Sequence, residues 1–357
     1  MPFRTAARLG ASAALTAALL PLTAPAAVPE PAPENETETV RVPLGDVTAD
    51  RAGARLVRTG TRFEMIGLTW TGPAPDRVEV RTRTADGWSR WTALEALPES
   101  RATEPLWTGD ADEAQVRATR DRADVTDQLE FVGINPPNAS PGSPQATSPG
   151  AETVPGAPRV VNRAQWGADE SDMTWAPEPT SLKATTVHHT AGSNDYSCAD
   201  SATIVRGIYH YHAVELGWGD IGYHALVDEC GTIFEGRSGG MAGDVVGGHA
   251  AGFNRHTFGI SMMGNFDRAQ PSAATVESVS HLAAWKLDTA QIPADDRTRL
   301  VSEGASSSKY PEGAPVDLPV IFAHRDVSKT ACPGELGYDR LGEIRSRAVA
   351  LQRAQQP

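Results

Sequence analysis

Between residues 36 and 134 apolar and polar positions alternate with a period of two. Ile66, Leu68 and Trp70 are separated by Gly67 and Thr69. Val78 and Val80 stand between Arg77, Glu79 and Arg81, and the same alternation returns at Ala114, Val116 and Ala118 and at Leu129 and Phe131. Turn clusters such as 71–76 and 85–87 punctuate these runs, so the segment predicts an all-β domain of sandwich type. Beyond residue 159 the pattern changes. Short apolar runs at 183–187, 221–227, 232–235, 258–263 and 320–323 read as strands, with 228–231 turning a hairpin. Helical spacing appears at 202–215 (Ile204, Ile208, Tyr211), at 274–290 (Val276, Val279, Leu282, Leu287) and at 338–352. The expected fold class is α/β, a mixed central β-sheet flanked by helices, preceded by a smaller β-sandwich-like domain.

Residues 135–158 separate the two patterns. Seven of these 24 residues are Pro and three are Gly, a composition that predicts an extended, semi-rigid linker. Asn138-Ala-Ser140 matches a glycosylation sequon by pattern alone. At the other end, Arg4 and Arg8 precede an Ala/Leu-rich run from Leu9 to Leu22, and small residues follow at 23–27. The run is short and broken by Pro21, which predicts a cleaved secretory signal over 1–27 rather than a membrane anchor. The resulting plan is a signal at 1–27, a β-rich accessory domain at 36–134, a linker at 135–158 and a second domain at 159–357.

The chain has 357 residues and a formal net charge of −13. Removing 1–27 takes away the two positive charges of Arg4 and Arg8 and leaves −15. Such a chain lacks the basic footprint of a nucleic-acid binder and is not drawn to anionic membranes. Trp88 and Trp91 suggest either an exposed ligand platform or partly buried core.

All nine histidines fall between His188 and His324, so any histidine chemistry belongs to the second domain. No GxSxG, HExxH, CxxC or GxxxxGK occurs, which leaves serine-hydrolase, zincin and phosphate-loop chemistry unsupported. The three cysteines are an odd number for an exported protein. Cys198 and Cys230 lie at the ends of elements, where a bridge does not disturb a core. Cys332 is then left over, either as a metal thiolate or as a buried inert thiol. His188 and His189 close a β-rich strand, so they point to opposite faces and only one can join a given site. His324 ends another strand eight residues before Cys332, and the Pro-Gly after Cys332 lets that loop fold back. Two histidines and a cysteine meeting at one sheet edge leave a fourth tetrahedral position open, the pattern of a catalytic zinc site.

A wider set of segments makes the case specific: Arg163-Ala-Gln-Trp-Gly-Ala168, Val187-His-His-Thr-Ala-Gly192, Leu216-Gly-Trp-Gly-Asp-Ile-Gly-Tyr-His224, Gly231-Thr-Ile-Phe-Glu-Gly-Arg237, Gly248-His-Ala-Ala-Gly-Phe-Asn254, Phe258-Gly-Ile-Ser261 with Met263-Gly-Asn-Phe266, and Ala323-His-Arg-Asp-Val with Thr330-Ala-Cys-Pro-Gly334. In this order, residues 161–350 resemble the family of zinc-dependent N-acetylmuramoyl-L-alanine amidases and peptidoglycan recognition proteins, and the whole layout resembles secreted actinobacterial members. The resemblance implies one Zn2+ per chain on His188, His324 and Cys332. It implies active-site roles for Tyr223 and Thr330, and places His224, Arg237, His249 and Asn254 along the substrate groove. His189 would be structural, and His210 and His212 packing.

Receptors of this family that only bind peptidoglycan resemble the pattern but lack the cysteine at the position of Cys332. The resemblance therefore implies a hydrolase, secreted and cell-wall associated, that cleaves the amide between N-acetylmuramic acid and the L-alanine of the stem peptide. The expected partner is peptidoglycan, and the expected state is a monomer with no nucleic acid and, after signal cleavage, no membrane partner. The alternatives are a non-catalytic peptidoglycan-binding module and a zinc hydrolase of another amide. One departure stands out. Ser238-Gly239 follows Glu-Gly-Arg where diaminopimelate-selective members carry Gly-Trp, so that preference is not inherited.

Overall fold

The computed structural model describes residues 37–137, 156–239, 241 and 243–355. The expected signal at 1–27 and most of the expected linker lie outside these residues. The N-terminal domain is built from antiparallel strands that join into one ten-stranded sheet. Its two long strands, Arg55–Trp70 and Leu106–Arg120, pair with each other with register shifts between Arg58 and Met65. Such irregularities bend a β-ribbon, which lets long strands close over a core. The alternating residues do what their period requires: Ile66, Leu68, Val80, Val116 and Phe131 all point into one buried cluster, which Phe63 joins across the register shift. Trp88 and Trp91 are not part of it. Trp88 is 38% exposed, Arg81 stacks over both rings, and Arg117 lies 4.3 Å from the Trp91 centroid.

The C-terminal domain carries a six-stranded mixed sheet in the order Val160–Val161, Ile233–Glu235, Ala225–Val227, Thr257–Met262, Ala184–His189, Ile321–Ala323. The hairpin between Ala225–Val227 and Ile233–Glu235 is antiparallel, and the other pairings are parallel. The central strands are buried on both faces, as a parallel sheet covered by helices demands. On one face the helices Ala273–Thr289 and Leu341–Gln355 bury Val276, Val279, Leu282 and Ile344 against Val187, Val227 and Ile260. Ser272 caps the first of these helices by accepting from the Thr275 N–H.

On the other face lies the helix Ser201–His210, continued by a π-helical turn at Tyr211–Glu215. Ile204, Ile208 and Tyr211 share one buried cluster, as their spacing predicts. That cluster also contains Met65, Trp107, Val132 and Ile134 of the N-terminal domain. The two domains thus share a core, and Asn35–Pro357 forms one compact unit. The strand Leu129–Asn135 runs into the expected linker. Gly67 permits a close approach: a β-carbon there would lie 2.2 Å from the Tyr211 ring, whose hydroxyl donates to the Thr103 carbonyl at 3.0 Å. The apolar faces of both halves meet in that core, and each covers the other.

Candidate metal centre and its surroundings

Strand alternation decides which histidine reaches the site. His188 pairs in register with Ser261 and His189 with Met262, so His189 turns toward the helix-covered core and His188 toward the opposite face. His324 opens the short helix His324–Val327 directly after the strand Ile321–Ala323. The loop beyond it folds back because the Arg325 N–H donates to the Cys332 carbonyl at 2.9 Å and the Arg325 guanidinium reaches the Ala331 carbonyl. Asp326 is structural: its carboxylate accepts from the Ala323 N–H and from the Tyr338 hydroxyl.

Donor atoms of His188, His324 and Cys332 all lie within 4.8 Å of one another. The Nδ1 of His188 is 3.6 Å from the Cys332 sulfur, and the His188 and His324 rings are 4.5 Å apart. With bonds of about 2.0–2.1 Å to nitrogen and about 2.3 Å to sulfur, a tetrahedral zinc spans an N-to-S edge of about 3.6 Å. The donor set and spacing therefore fit zinc. Burial lowers the pKa of His188 strongly and that of His324 to about 3, so both imidazoles are neutral, as ligation requires. Burial pushes the Cys332 thiol well up, which a bound cation would reverse.

His249 sits behind this set rather than beside it. Its Nδ1 is 2.9 Å from the Nε2 of His188, and its Nε2 is 3.4 Å from the Thr257 hydroxyl, which donates to the Phe253 carbonyl at 2.6 Å. With Nδ1 of His188 turned to the metal position, its Nε2–H donates to His249, and the chain runs on to the backbone. Room for the His249 ring depends on Gly259, where a β-carbon would come within 2.5 Å of it.

The fold engages the remaining expected groove residues to different degrees. His224 has both nitrogens engaged inside the fold: Nδ1 accepts from the Gly259 N–H at 3.0 Å and Nε2 donates to the Val245 carbonyl at 2.9 Å. It stacks on Phe258 and is held neutral by burial, with a pKa of about 3. The Asn254 carboxamide oxygen accepts from the His249 and Ala250 N–H groups, fixing that loop. Arg237 has buried donors without a partner. It is buried, lies 3.5 Å over the Trp175 ring, and has Nε and one terminal nitrogen without a partner.

Tyr223 stands beside the metal position, its ring 5.4 Å from that of His188. Burial, followed by the nearby Glu104 carboxyl, raises its phenol well above the ordinary value and keeps it protonated. The Thr330 hydroxyl accepts from the Cys332 N–H at 3.1 Å, which leaves its own proton to donate elsewhere. The Arg163 segment works at a distance: Asn162 and Gln165 form a capping box, and Arg163 pairs with Asp220 at 3.0 Å, anchoring the loop that leads to Tyr223. His210 and His212 pack as expected. His210 lies between Asp172 and Glu215, and His212 accepts from the Gly222 N–H.

Two acidic neighbours carry no motif in the sequence. Glu95 lies 3.3 Å from the Nε2 of His189, and Glu104 accepts from the Tyr223 hydroxyl at 3.4 Å. Both come from the N-terminal domain. Burial, with Glu95 nearby, raises the Glu104 carboxyl to about 8. Cys198 and Cys230 are joined, tying the start of the helix Ser201–His210 to the hairpin.

Comparison with known proteins finds relatives of both halves of the chain. The family profile described as N-acetylmuramoyl-L-alanine amidase matches residues 178–335, and one described as Rv3811 N-terminal galactose-binding domain-like matches residues 24–153. Peptidoglycan-recognition protein SC1a of Drosophila melanogaster is 32% identical over 177 residues, which is 49% of this chain and 80% of that protein. Human peptidoglycan recognition protein 3 is 33% identical over 182 residues, 51% of this chain and 45% of that protein. Among solved structures, Drosophila peptidoglycan recognition protein SD is 23% identical, with a TM-score of 0.42, over 52% of this chain and 95% of that one. The amidase LysC of Clostridium intestinale is 22% identical, with a TM-score of 0.36, over 54% and 97% respectively. The family profile, the ordered motifs and 32% identity over four-fifths of peptidoglycan-recognition protein SC1a place the chain in the family of N-acetylmuramoyl-L-alanine amidases and peptidoglycan recognition proteins.

Proposed function

We propose that this protein is a zinc-dependent N-acetylmuramoyl-L-alanine amidase. It hydrolyses the amide between the lactyl group of N-acetylmuramic acid and the L-alanine of the stem peptide. One observation carries the reading: Cys332 completes a three-donor cluster with His188 and His324. A module that only holds peptidoglycan has no use for a buried thiol aimed at two imidazoles.

His188, His324 and Cys332 would hold the zinc, and His249 would fix the ring of His188. When bound, the ion acts as a Lewis acid toward the scissile carbonyl and makes water acidic enough to attack near neutral pH. Tyr223 and Thr330 supply the donors. The phenol stays protonated in its buried setting, and the Thr330 hydroxyl is oriented by the Cys332 N–H. Both stabilise negative charge growing on the carbonyl oxygen. Arg237, with unpartnered donors, is the groove residue suited to a stem-peptide carboxylate. Export by the segment 1–27 fits an extracellular wall substrate and a disulfide. Among the described residues no helix is long and apolar enough to cross a membrane.

The test is digestion of purified peptidoglycan by the mature protein, with and without a zinc chelator. New N-terminal alanine without new reducing ends, abolished by the chelator, is the expected result. Pelleting with the wall and no release of either product would assign a recognition module instead. Release of reducing ends would assign a glycan-cleaving enzyme.

A further inference from the structure

The N-terminal domain does not merely adjoin the metal centre. Its stretch from Glu95 to Trp107 is fastened around it on several sides. Glu95 reaches His189. The Glu99 carboxylate accepts from the Ser306 hydroxyl at 2.9 Å and the Ser307 N–H at 2.6 Å. The Ser100 hydroxyl accepts from the Trp218 indole at 3.0 Å. Trp107, at the far end, is buried in the core that both domains share. These fastenings fix where the residue between them must lie, and that residue is Glu104.

The Glu104 carboxyl group has one oxygen on the Tyr223 hydroxyl and the other out of solvent with no hydrogen-bond partner. Burying a carboxyl group with a single partner is unfavourable, and a purely structural contact would be served better by an apolar residue of the same size. A phenol has one proton and a single rotatable hydroxyl. Whatever accepts that proton sets where the oxygen lone pairs point. Tyr223 in turn lies against His188.

We infer that Glu104 is a positioning residue of the amidase site, delivered by the N-terminal domain and acting through Tyr223. The inference rests on the amidase reading above. It makes the active site a property of two domains, so the second domain alone would carry the metal donors with a less ordered Tyr223.

Two substitutions in the full-length mature protein test it. Glu104→Met keeps the length of the side chain and removes the acceptor, whereas Glu104→Gln keeps an acceptor oxygen. Expected are a fall in kcat on the order of ten- to a hundred-fold for Glu104→Met, KM and zinc content unchanged, and near wild-type kcat for Glu104→Gln. A readout independent of activity is the 19F resonance of fluorotyrosine at position 223, identified by its loss in Tyr223→Phe and recorded in metal-free protein. It should shift or broaden in Glu104→Met and stay in place in Glu104→Gln. Glu104→Leu serves the same purpose if Glu104→Met folds poorly. An unmoved resonance, or an unchanged kcat in Glu104→Met, overturns the inference. A raised kcat overturns it in favour of a lid. Equal loss in Glu104→Gln overturns it in favour of a charge-dependent role. A wild type that releases no alanine sinks the amidase reading alone, because the resonance still reports the contact.

Discussion

The Nδ1 of His249 lies 2.9 Å from the Nε2 of His188, on the side of the ring away from Cys332. On the proposed zinc assignment, this makes His249 the group that sets the tautomer and tilt of a metal donor. His249→Ala should weaken zinc binding on the order of ten- to a hundred-fold while the fold persists. Competition against a chromogenic chelator measures this directly, and wild-type affinity in the variant would remove His249 from the metal centre.

Cys332→Ser should abolish zinc binding and amide hydrolysis and leave the far-ultraviolet circular dichroism unchanged. Cys332 is buried at the sheet edge, and its N–H and carbonyl are tied to Thr330 and Arg325 through the backbone, which the substitution retains. Zinc content by mass spectrometry is the decisive number. Retained activity would sink the metal assignment.

The shared core predicts one thermal transition for both domains. Trp107 packs with Ile204, Ile208 and Tyr211 across the boundary. Trp107→Ala should cost about 3–5 kcal/mol and lower the single transition as a whole. Two well-separated calorimetric peaks in the wild type would show that the halves unfold independently.

His210 makes the same boundary sensitive to pH. Burial lowers its pKa, but the carboxylates of Glu215 and Asp172 outweigh this and raise it above 6.5. Its Nε2 also meets the Thr39 hydroxyl of the N-terminal domain, and Arg41 pairs with Glu215. A folded-state pKa above the unfolded one contributes stability that is full below pH 6.5 and fades as pH rises through the folded value. Denaturant midpoints measured on either side of that window should fall with rising pH in the wild type and stay flatter in His210→Gln.

The Cys198–Cys230 bridge closes a loop with a sequence separation of 32. In the chain-entropy model such a loop stabilises by about 3–4 kcal/mol. Replacing both cysteines by serine should lower the denaturant midpoint accordingly without changing zinc content, since neither cysteine belongs to the three-donor cluster. Loss of zinc in that variant would show that the hairpin supports the centre.

The sequence by itself determined the parts that depend on local rules. Period-two alternation separated His188 from His189 and filled the β-domain core with Ile66, Leu68 and Phe131. Helical spacing placed Ile204, Ile208 and Tyr211 on one buried face. Ordered motifs pointed to His188, His324 and Cys332, because strand ends and a short return loop bring donors together over few residues. What depended on distant backbone was decided by tertiary structure alone. His224 is engaged by the Val245 carbonyl and the Gly259 N–H, groups that every residue carries and no motif marks. His249 joined His188 through a packing position opened by Gly259. Glu104 reached Tyr223 across 119 positions of sequence, and only the apolar faces that join the two domains brought it there. Hydrophobic burial has no sequence address. It fixes which surfaces meet, and the carboxylate at that meeting follows from it.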